Sequence, residues 1–515
     1  GHPLIADAYK FPDDYSSVTY RLDPRAKWHD GQPITVDDVV WSFNVLKANS
    51  PMYSRYFENV TEAKAISDRE VQFTFDQKGN RELPKILGDL VVLPKHWWEG
   101  TDARGKKRDI TQPTLEPPLG SASYKVKSFK AGAEIVWERV PDYWAAKLPV
   151  KVGRENFDIR RYVYFQDDNA AWQAFTKGGF EDIHEEFTSR RWATYYTFPA
   201  FTAGDVIRKE FKANSRANFQ GFIMNTRRAK FQDRRVRQAL TLGFDFETLN
   251  RTSFFGLYQR TNSFFIGSDL ASSGLPQGKE LEILTPFKDK LPPEVFTTEY
   301  KLPVYDTPKA ARPYLQQMVK LFAEAGWKIS GGKMLNDKGE QFTIEFLGDD
   351  SRDEIISLPY IEALKKIGIS ASLRIVDPGQ YVNRVNDFEY DMITSVLAQS
   401  ESPGNEQRDM WSSAAADVEG SQNYVGIKSK AIDELVELIV NAPDRDQLVL
   451  RTRALDRVLL HNHFVVPHWH IDKDRILYWD KFGVPEPHRR GTSTRYWWYD
   501  AEKAARLKGR IRSQP

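Results

Sequence analysis

The 515-residue chain contains no cysteine. Disulfides and thiolate metal sites are therefore impossible, although an oxidising compartment remains compatible. No apolar run approaches the ~20 residues of a membrane-spanning helix. A charge excess is also missing, since 73 Lys and Arg against 71 Asp and Glu leave +2. That balance argues against a dedicated nucleic-acid binder, which would show a basic excess. No run of like charge is long enough for a tail. G-x-G-x-x-G, the P-loop, G-x-S-x-G and H-E-x-x-H are all absent, which points away from an enzyme, although triads are spatial and leave no fixed motif.

What is present is length enough for about three ordinary domains. There are also 14 Trp, 22 Tyr and 31 Phe. Most aromatics belong to cores, and the Trp excess suits a large amphipathic pocket. The clearest local signals lie in Thr19 to Phe43. Val18, Tyr20 and Leu22 alternate with polar residues as in a half-buried strand, and Asp23-Pro24 ends it. Asp30-Gly31 is a turn dipeptide. Thr35 should cap a helix with Asp38 at its third position, and Val36, Val39, Val40, Phe43 and Leu46 form its apolar stripe.

Further along, Val71 to Phe75 reads as a strand and Gly105 to Pro118 as a surface loop. Tyr124 to Val140 reads as a hairpin turning at Lys130 to Ala133. Arg161 to Phe165 is a strand, Asn169 to Lys177 a helix stopped by Gly178-Gly179, and Phe180 to Ile183 a strand. Gly221 to Thr226 is an apolar strand, followed by a helix capped by Asp233. Ala311 to Gly326 and Leu358 to Ile367 read as helices; Phe342 to Leu347, Ser370 to Val376 and Asp391 to Ala398 as strands. The βαβ order predicts a right-handed parallel crossover. Ile432 to Val440 and Asp446 to Leu460 are helical, and Phe464 to Trp469 is a short strand.

The order of strand, K-W-H-D-G-Q-P, capped helix and W-S-F resembles the signature segment of extracytoplasmic solute-binding proteins of peptide/nickel-class ABC importers, the dipeptide- and oligopeptide-binding family. Further matches follow in order. They are Pro117 to Tyr124 (with Ala122 where relatives have a second glycine), Asp142-Tyr143-Trp144, Phe180 to Ile183, and F-x-D-x-R-V-R-x-A-L from Phe231 to Leu240. The resemblance implies an α/β, two-lobed periplasmic-binding-protein fold of type II, the large peptide-binding class, with an extra α/β subdomain. The expected division is 1–120 for that subdomain, 121–245 for the lobe I core, 246–470 for lobe II and 471–515 for a return to lobe I. Relatives carry a further N-terminal segment that helps complete the larger lobe. The implied role is a periplasmic receptor, not an enzyme. It would act as a monomer without cofactor or nucleic acid, capture short peptides between its lobes and deliver them to an ABC transporter permease in the inner membrane. A narrow receptor for murein tripeptides is the alternative within the fold; a metal or nickel receptor and a secreted hydrolase are the alternatives outside it.

Ser395 to Asp417 carries the main candidate site. A strand that ends in a polar loop with Pro and Gly leaves backbone groups for an extended peptide, whose main-chain bonds ignore side-chain identity. In the family the corresponding strand does this, and many relatives place an Asp after it for the ligand's ammonium. Here Gln399 takes that place, with Glu401 two residues on. The S-P-G-N-E-Q-R-D-x-W wording resembles the branch serving peptide and microcin C import in Gram-negative bacteria. The ligand-binding candidates are thus Ser395, Leu397, Gln399, Glu401, Arg408, Asp409, Trp411, Asp417 and Asn423. Arg190 and Trp192 join them as a guanidinium fork beside a flat ring. Trp28, His29 and Asn225 occupy family positions that structural roles would also explain. His461, His463, His468 and His470 suggest a metal site by composition, but strand alternation would turn the pairs apart, so a structural role is expected and no metal ligand is named.

Overall fold

The computed structural model describes residues 4–165, 167–179, 181–213, 218–307, 309–485 and 494–507. The chain forms two compact units, one of residues 1–215 with 473–515 and one of residues 216–472.

In the first unit, strands Ala6–Lys10, Ser17–Leu22, Glu70–Phe75 and Val60–Ala65 pair side by side in that order, all antiparallel. Helix Val36–Asn49 packs on them through Val36, Val39 and Phe43. Its start is the expected capping box. Thr35 Oγ1 accepts the Asp38 N–H at 3.1 Å, and Asp38 Oδ2 accepts the Thr35 N–H at 2.9 Å. This satisfies two donors that the first helical turn otherwise leaves bare. The expected hairpin is Tyr124–Lys130 against Glu134–Arg139, with Ile159–Val163 as a third strand. That third strand begins two residues before the expected Arg161. Lys473–Trp479 comes back into this unit between Ile183–Glu185 and Val206–Lys212. The expected strand from Phe180 begins at Ile183, and Phe180 itself lies outside the described residues.

The second unit is built on a five-stranded sheet ordered Ser370–Ile375, Thr343–Gly348, Met392–Leu397, Phe219–Met224, Val465–Pro467. The first three strands are parallel and Phe219–Met224 runs antiparallel to both its neighbours. Strand alternation divides the apolar residues cleanly between two cores. Phe219, Ile223, Ile393, Leu397 and Val465 face helices Lys430–Val440 and Arg445–His461. Phe222, Met224, Met392, Phe346 and Val466 face helices Arg234–Leu242, Ala311–Glu324 and Arg352–Lys365. Residues 216–245, expected with the first lobe, fall in this unit because Phe219–Met224 is an interior strand of its sheet.

Two local readings change. The helix expected from Leu358 begins at Arg352 and runs through Pro359; Asp353 and Glu354 suit its positive end, and the proline removes only one N–H from the ladder. The strand expected over Phe464 to Trp469 is two short ones, Val465–Pro467 and Trp469–His470, parted at His468. No helix among the described residues is long and apolar enough to cross a membrane.

Candidate functional site

The Met392–Leu397 strand has two unlike edges. Along one, all six residues pair with Phe219–Met224. Along the other, only Met392 and Ile393 pair, with Phe346 and Leu347. From Thr394 to Leu397 that second edge has no strand partner among the described residues. The Thr394 carbonyl accepts the Tyr381 hydroxyl at 3.3 Å. Ser395 lies on the same face as Ile393 and Leu397, whereas Val396, on the opposite face, is 50% exposed. The edge is held in place by the pairing on its other side and by the burial of Leu397. It is therefore a rigid row of backbone donors and acceptors, suited to pairing with an extended chain.

The loop after the strand is tied down by a polar chain. Gln407 Nε2 donates to Gln399 Oε1 at 2.8 Å, and Trp411 Nε1 donates to Gln407 Oε1 at 3.0 Å. Glu406, which the sequence reading passed over, holds the turn. Its carboxylate accepts the Gly404 N–H at 3.0 and 3.1 Å and the Ser400 hydroxyl at 3.1 Å. Burial pushes the Glu406 carboxyl above its ordinary range, against the pull of those hydrogen bonds. Glu401, the acidic residue singled out by spacing, is exposed. Its carbonyl accepts from Arg445, which also pairs with Asp269 at 2.6 Å. The signal that could have found Glu406 is its position two residues after Gly404, where a carboxylate can reach back to the turn N–H.

Several other candidates serve the protein's own structure. Arg408 grips Glu437 with two bonds of 2.6 and 2.7 Å. Asp409 accepts the Gln422 N–H at 3.1 Å, and Asp417 pairs with Lys428 at 2.6 Å. Asn423 is fully buried, and its side-chain amide makes four bonds, to Ser412, Gly426 and Ile427. Trp411 is buried against Phe264. Asn225 is also fully buried, donating to the Phe388 and Tyr390 carbonyls at 3.0 and 2.9 Å. These amides act as staples because a buried polar group must find its partners inside the fold.

In the first unit, Trp28 is buried and donates to Asp38 at 3.3 Å. His29 joins its backbone and ring to Gly120 and Ala122, each at 2.8 Å. Arg190 is exposed, while Trp192 is buried beneath Arg208, whose guanidinium lies 4.1 Å from the ring. The buried fork of the Arg190-Arg191 pair is Arg191, which reaches Glu186 at 3.3 Å. A helix turns successive residues to different faces, so adjacent arginines cannot both point inward.

The histidines do not gather round a common point. His461 ends a helix, and His463 has φ 52°. Both rings lie against Tyr300, at 5.5 and 5.8 Å. His468 stacks on Phe244 at 5.1 Å, and His470 bonds Thr261 at 3.1 Å. Burial holds His463 and His468 well below the ordinary imidazole range, so both rings are neutral. Among the described residues no group of three or more His, Asp or Glu is placed to hold a metal ion.

Residues 2–418 match the bacterial extracellular solute-binding proteins, family 5. The chain belongs to this family. A "Probable peptide-binding protein YejA" of Agrobacterium fabrum is 48% identical over 486 residues, 94% of this chain and 79% of that protein. A "Peptidoglycan-binding protein YepA" of the same organism is 34% identical over 508 residues, 97% of this chain and 81% of that protein. Among solved structures, the oligopeptide-binding protein AppA of Bacillus subtilis, in complex with a nonapeptide, superposes with a TM-score of 0.75. It is 20% identical, and the match covers 96% of this chain and 90% of AppA. The fold of this family 5 protein is thus the type II fold of periplasmic peptide-binding proteins.

Proposed function

We propose that the protein is the periplasmic substrate-binding component of an ABC importer, which takes up short peptides and hands them to a membrane permease. The observation that carries this reading is the unpaired Thr394–Leu397 edge. An extended peptide adds there as a further strand, and its main-chain groups replace the missing pairing. Thr394 and Val396 supply the backbone bonds, because Ser395 and Leu397 turn theirs to Gly221 and Phe219. Gln399, anchored by Gln407, stands where the ligand chain leaves the edge. Glu406, whose carboxylate is held by the Gly404 N–H and the Ser400 hydroxyl in the loop after that exit, takes the ligand's ammonium. The names of relatives at 48% and 34% identity, one for peptide and one for peptidoglycan, support ligands with peptide backbones.

The deciding experiment begins with native mass spectrometry of the purified protein and identification of any small molecule released on denaturation. Titration with that peptide and with backbone N-methylated versions follows. Each N-methyl group that removes a bond to the strand should raise Kd roughly tenfold, about 1.4 kcal/mol. N-methylation without effect at every position would remove the strand-addition reading. A released molecule containing diaminopimelate would assign the murein class.

A further inference from the structure

Arg260 lies on the two-residue strand Gln259–Arg260, opposite Trp469. Its guanidinium carbon stands 4.8 Å from the centre of the Phe244 ring and 5.4 Å from that of Phe246. Nε, Nη1 and Nη2 are all buried, and none has a hydrogen-bond partner among the described residues. Stacking engages the flat face of a guanidinium and leaves its five N–H groups pointing outward in the plane. Those donors form a fork, unpartnered among the described residues, within the second unit.

A second buried donor lies close to Arg260. His468 Nδ1 takes the Gln220 side-chain N–H at 3.1 Å, which leaves the ring proton on Nε2. His468 Nε2 is buried and, among the described residues, also lacks an acceptor. The two side chains are close enough for the Arg260 charge to act on the His468 ring. Phe244 joins them, stacked on the His468 ring at 5.1 Å.

The surrounding carboxylates do not fill the fork. Glu247 and Asp245 act on Arg260 through space. Glu247 accepts the Tyr305 N–H at 2.9 Å, and Asp245 accepts the Thr248 N–H at 2.9 Å. They offset part of the positive potential without supplying a hydrogen bond. A buried charge in a low-dielectric site requires a partner in contact, not only one at a distance. A monovalent acceptor suits the fork, because one guanidinium already moderated by two carboxylates would not balance a divalent anion.

We infer that Arg260, with the Nε2–H of His468, binds one small monovalent anion, a halide or a carboxylate, in the interior of the second unit. The site is independent of the Thr394–Leu397 edge, and it stands whether or not peptides add there.

The test uses the full chain. Crystals soaked in bromide should show an anomalous peak in contact with the Arg260 nitrogens, and crystals soaked in formate should show a planar anion on the same fork. Bromide alone identifies a halide site, and displacement of bromide by formate identifies a carboxylate site. In solution, replacing gluconate by chloride at constant ionic strength should raise Tm by about 1–3 °C. That increase should disappear in Arg260→Met. Should Arg260→Met fail to fold, Arg260→Lys keeps the charge but loses the fork, and should bind several-fold more weakly. Only water at Arg260 in both soaks, with bromide ordered elsewhere, overturns the proposal. So does a chloride response of equal size in the wild type and the Arg260 variant.

Discussion

Gln407 donates to Gln399 at 2.8 Å while accepting from the Trp411 indole at 3.0 Å. One fully buried amide thus fixes the residue that follows the open strand edge. Replacing it with an apolar side chain leaves the indole N–H and the Gln399 carbonyl without partners. Gln407→Leu should therefore cost about 2 kcal/mol in urea unfolding. Ligand affinity should fall as well, because the exit of the strand loses its anchor. Unchanged affinity at reduced stability would separate the loop from the site.

Gly221 sits in the interior strand of the second unit, and a Cβ there would stand 2.4 Å from Val465 Cγ1 and 2.6 Å from the Val466 carbonyl oxygen. The neighbour is backbone in the adjacent strand, which cannot swing away as a side-chain tip can. Gly221→Ala should destabilise the protein by about 3 kcal/mol, read as a lower denaturation midpoint with an unchanged slope.

The pH dependence of stability has two buried histidines of opposite sign. Burial alone would pull His184 down, but the hydrogen bond to Glu181 and the Glu186 carboxylate 3.4 Å away outweigh it and raise its pKa to about 9. Its folded value lies above the ordinary 6.5, so its contribution is complete below about pH 6.5 and is lost as pH rises through 9. His461 is pushed down to about 4 by burial and then by the Arg457 charge. The folded state therefore favours its neutral form, and stability falls as pH drops from 6.5 towards 4. His184→Gln should flatten the loss above neutrality, and His461→Gln should flatten the loss below it. Unfolding midpoints measured from pH 4 to 9 check both, and identical slopes in variant and wild type would refute the assignment.

Legibility from the sequence followed range. The Thr35 capping box spans three residues, and spacing alone placed it. Strand Met392–Leu397 was legible within the expected Asp391 to Ala398, and its polar loop by Pro403 and Gly404. Asn225 was ambiguous because its partners lie 163 and 165 residues away. No local pattern distinguishes a staple from a ligand contact at that range. Arg408, Asp409 and Asp417 carry a similar ambiguity; their partners Glu437, Gln422 and Lys428 are brought in by packing. Arg260 carries no motif, since its burial comes from pairing opposite Trp469. The division at 215/216 was not legible, because the strand at 219–224 is interior to its sheet only through pairings with residues 392–397 and 465–467.

Glu406 gives the sharpest test of ligand polarity. Its carboxylate is held by the Gly404 N–H and the Ser400 hydroxyl, and no ion pair reaches it among the described residues. Burial raises its pKa, so its negative charge is kept at a cost that a ligand's ammonium would offset. Glu406→Gln keeps the size and an acceptor but removes the charge. Affinity for a peptide with a free amino terminus should fall about tenfold, or about 1.4 kcal/mol, while affinity for its acetylated counterpart stays the same. The pH profile gives an independent sign. The carboxyl protonates above the usual carboxylate range, so binding of the free-amine peptide should weaken as pH drops through that raised value. In Glu406→Gln that step should vanish. Equal losses for free and acetylated peptides would instead assign Glu406 to the turn alone and leave the ammonium to another acceptor.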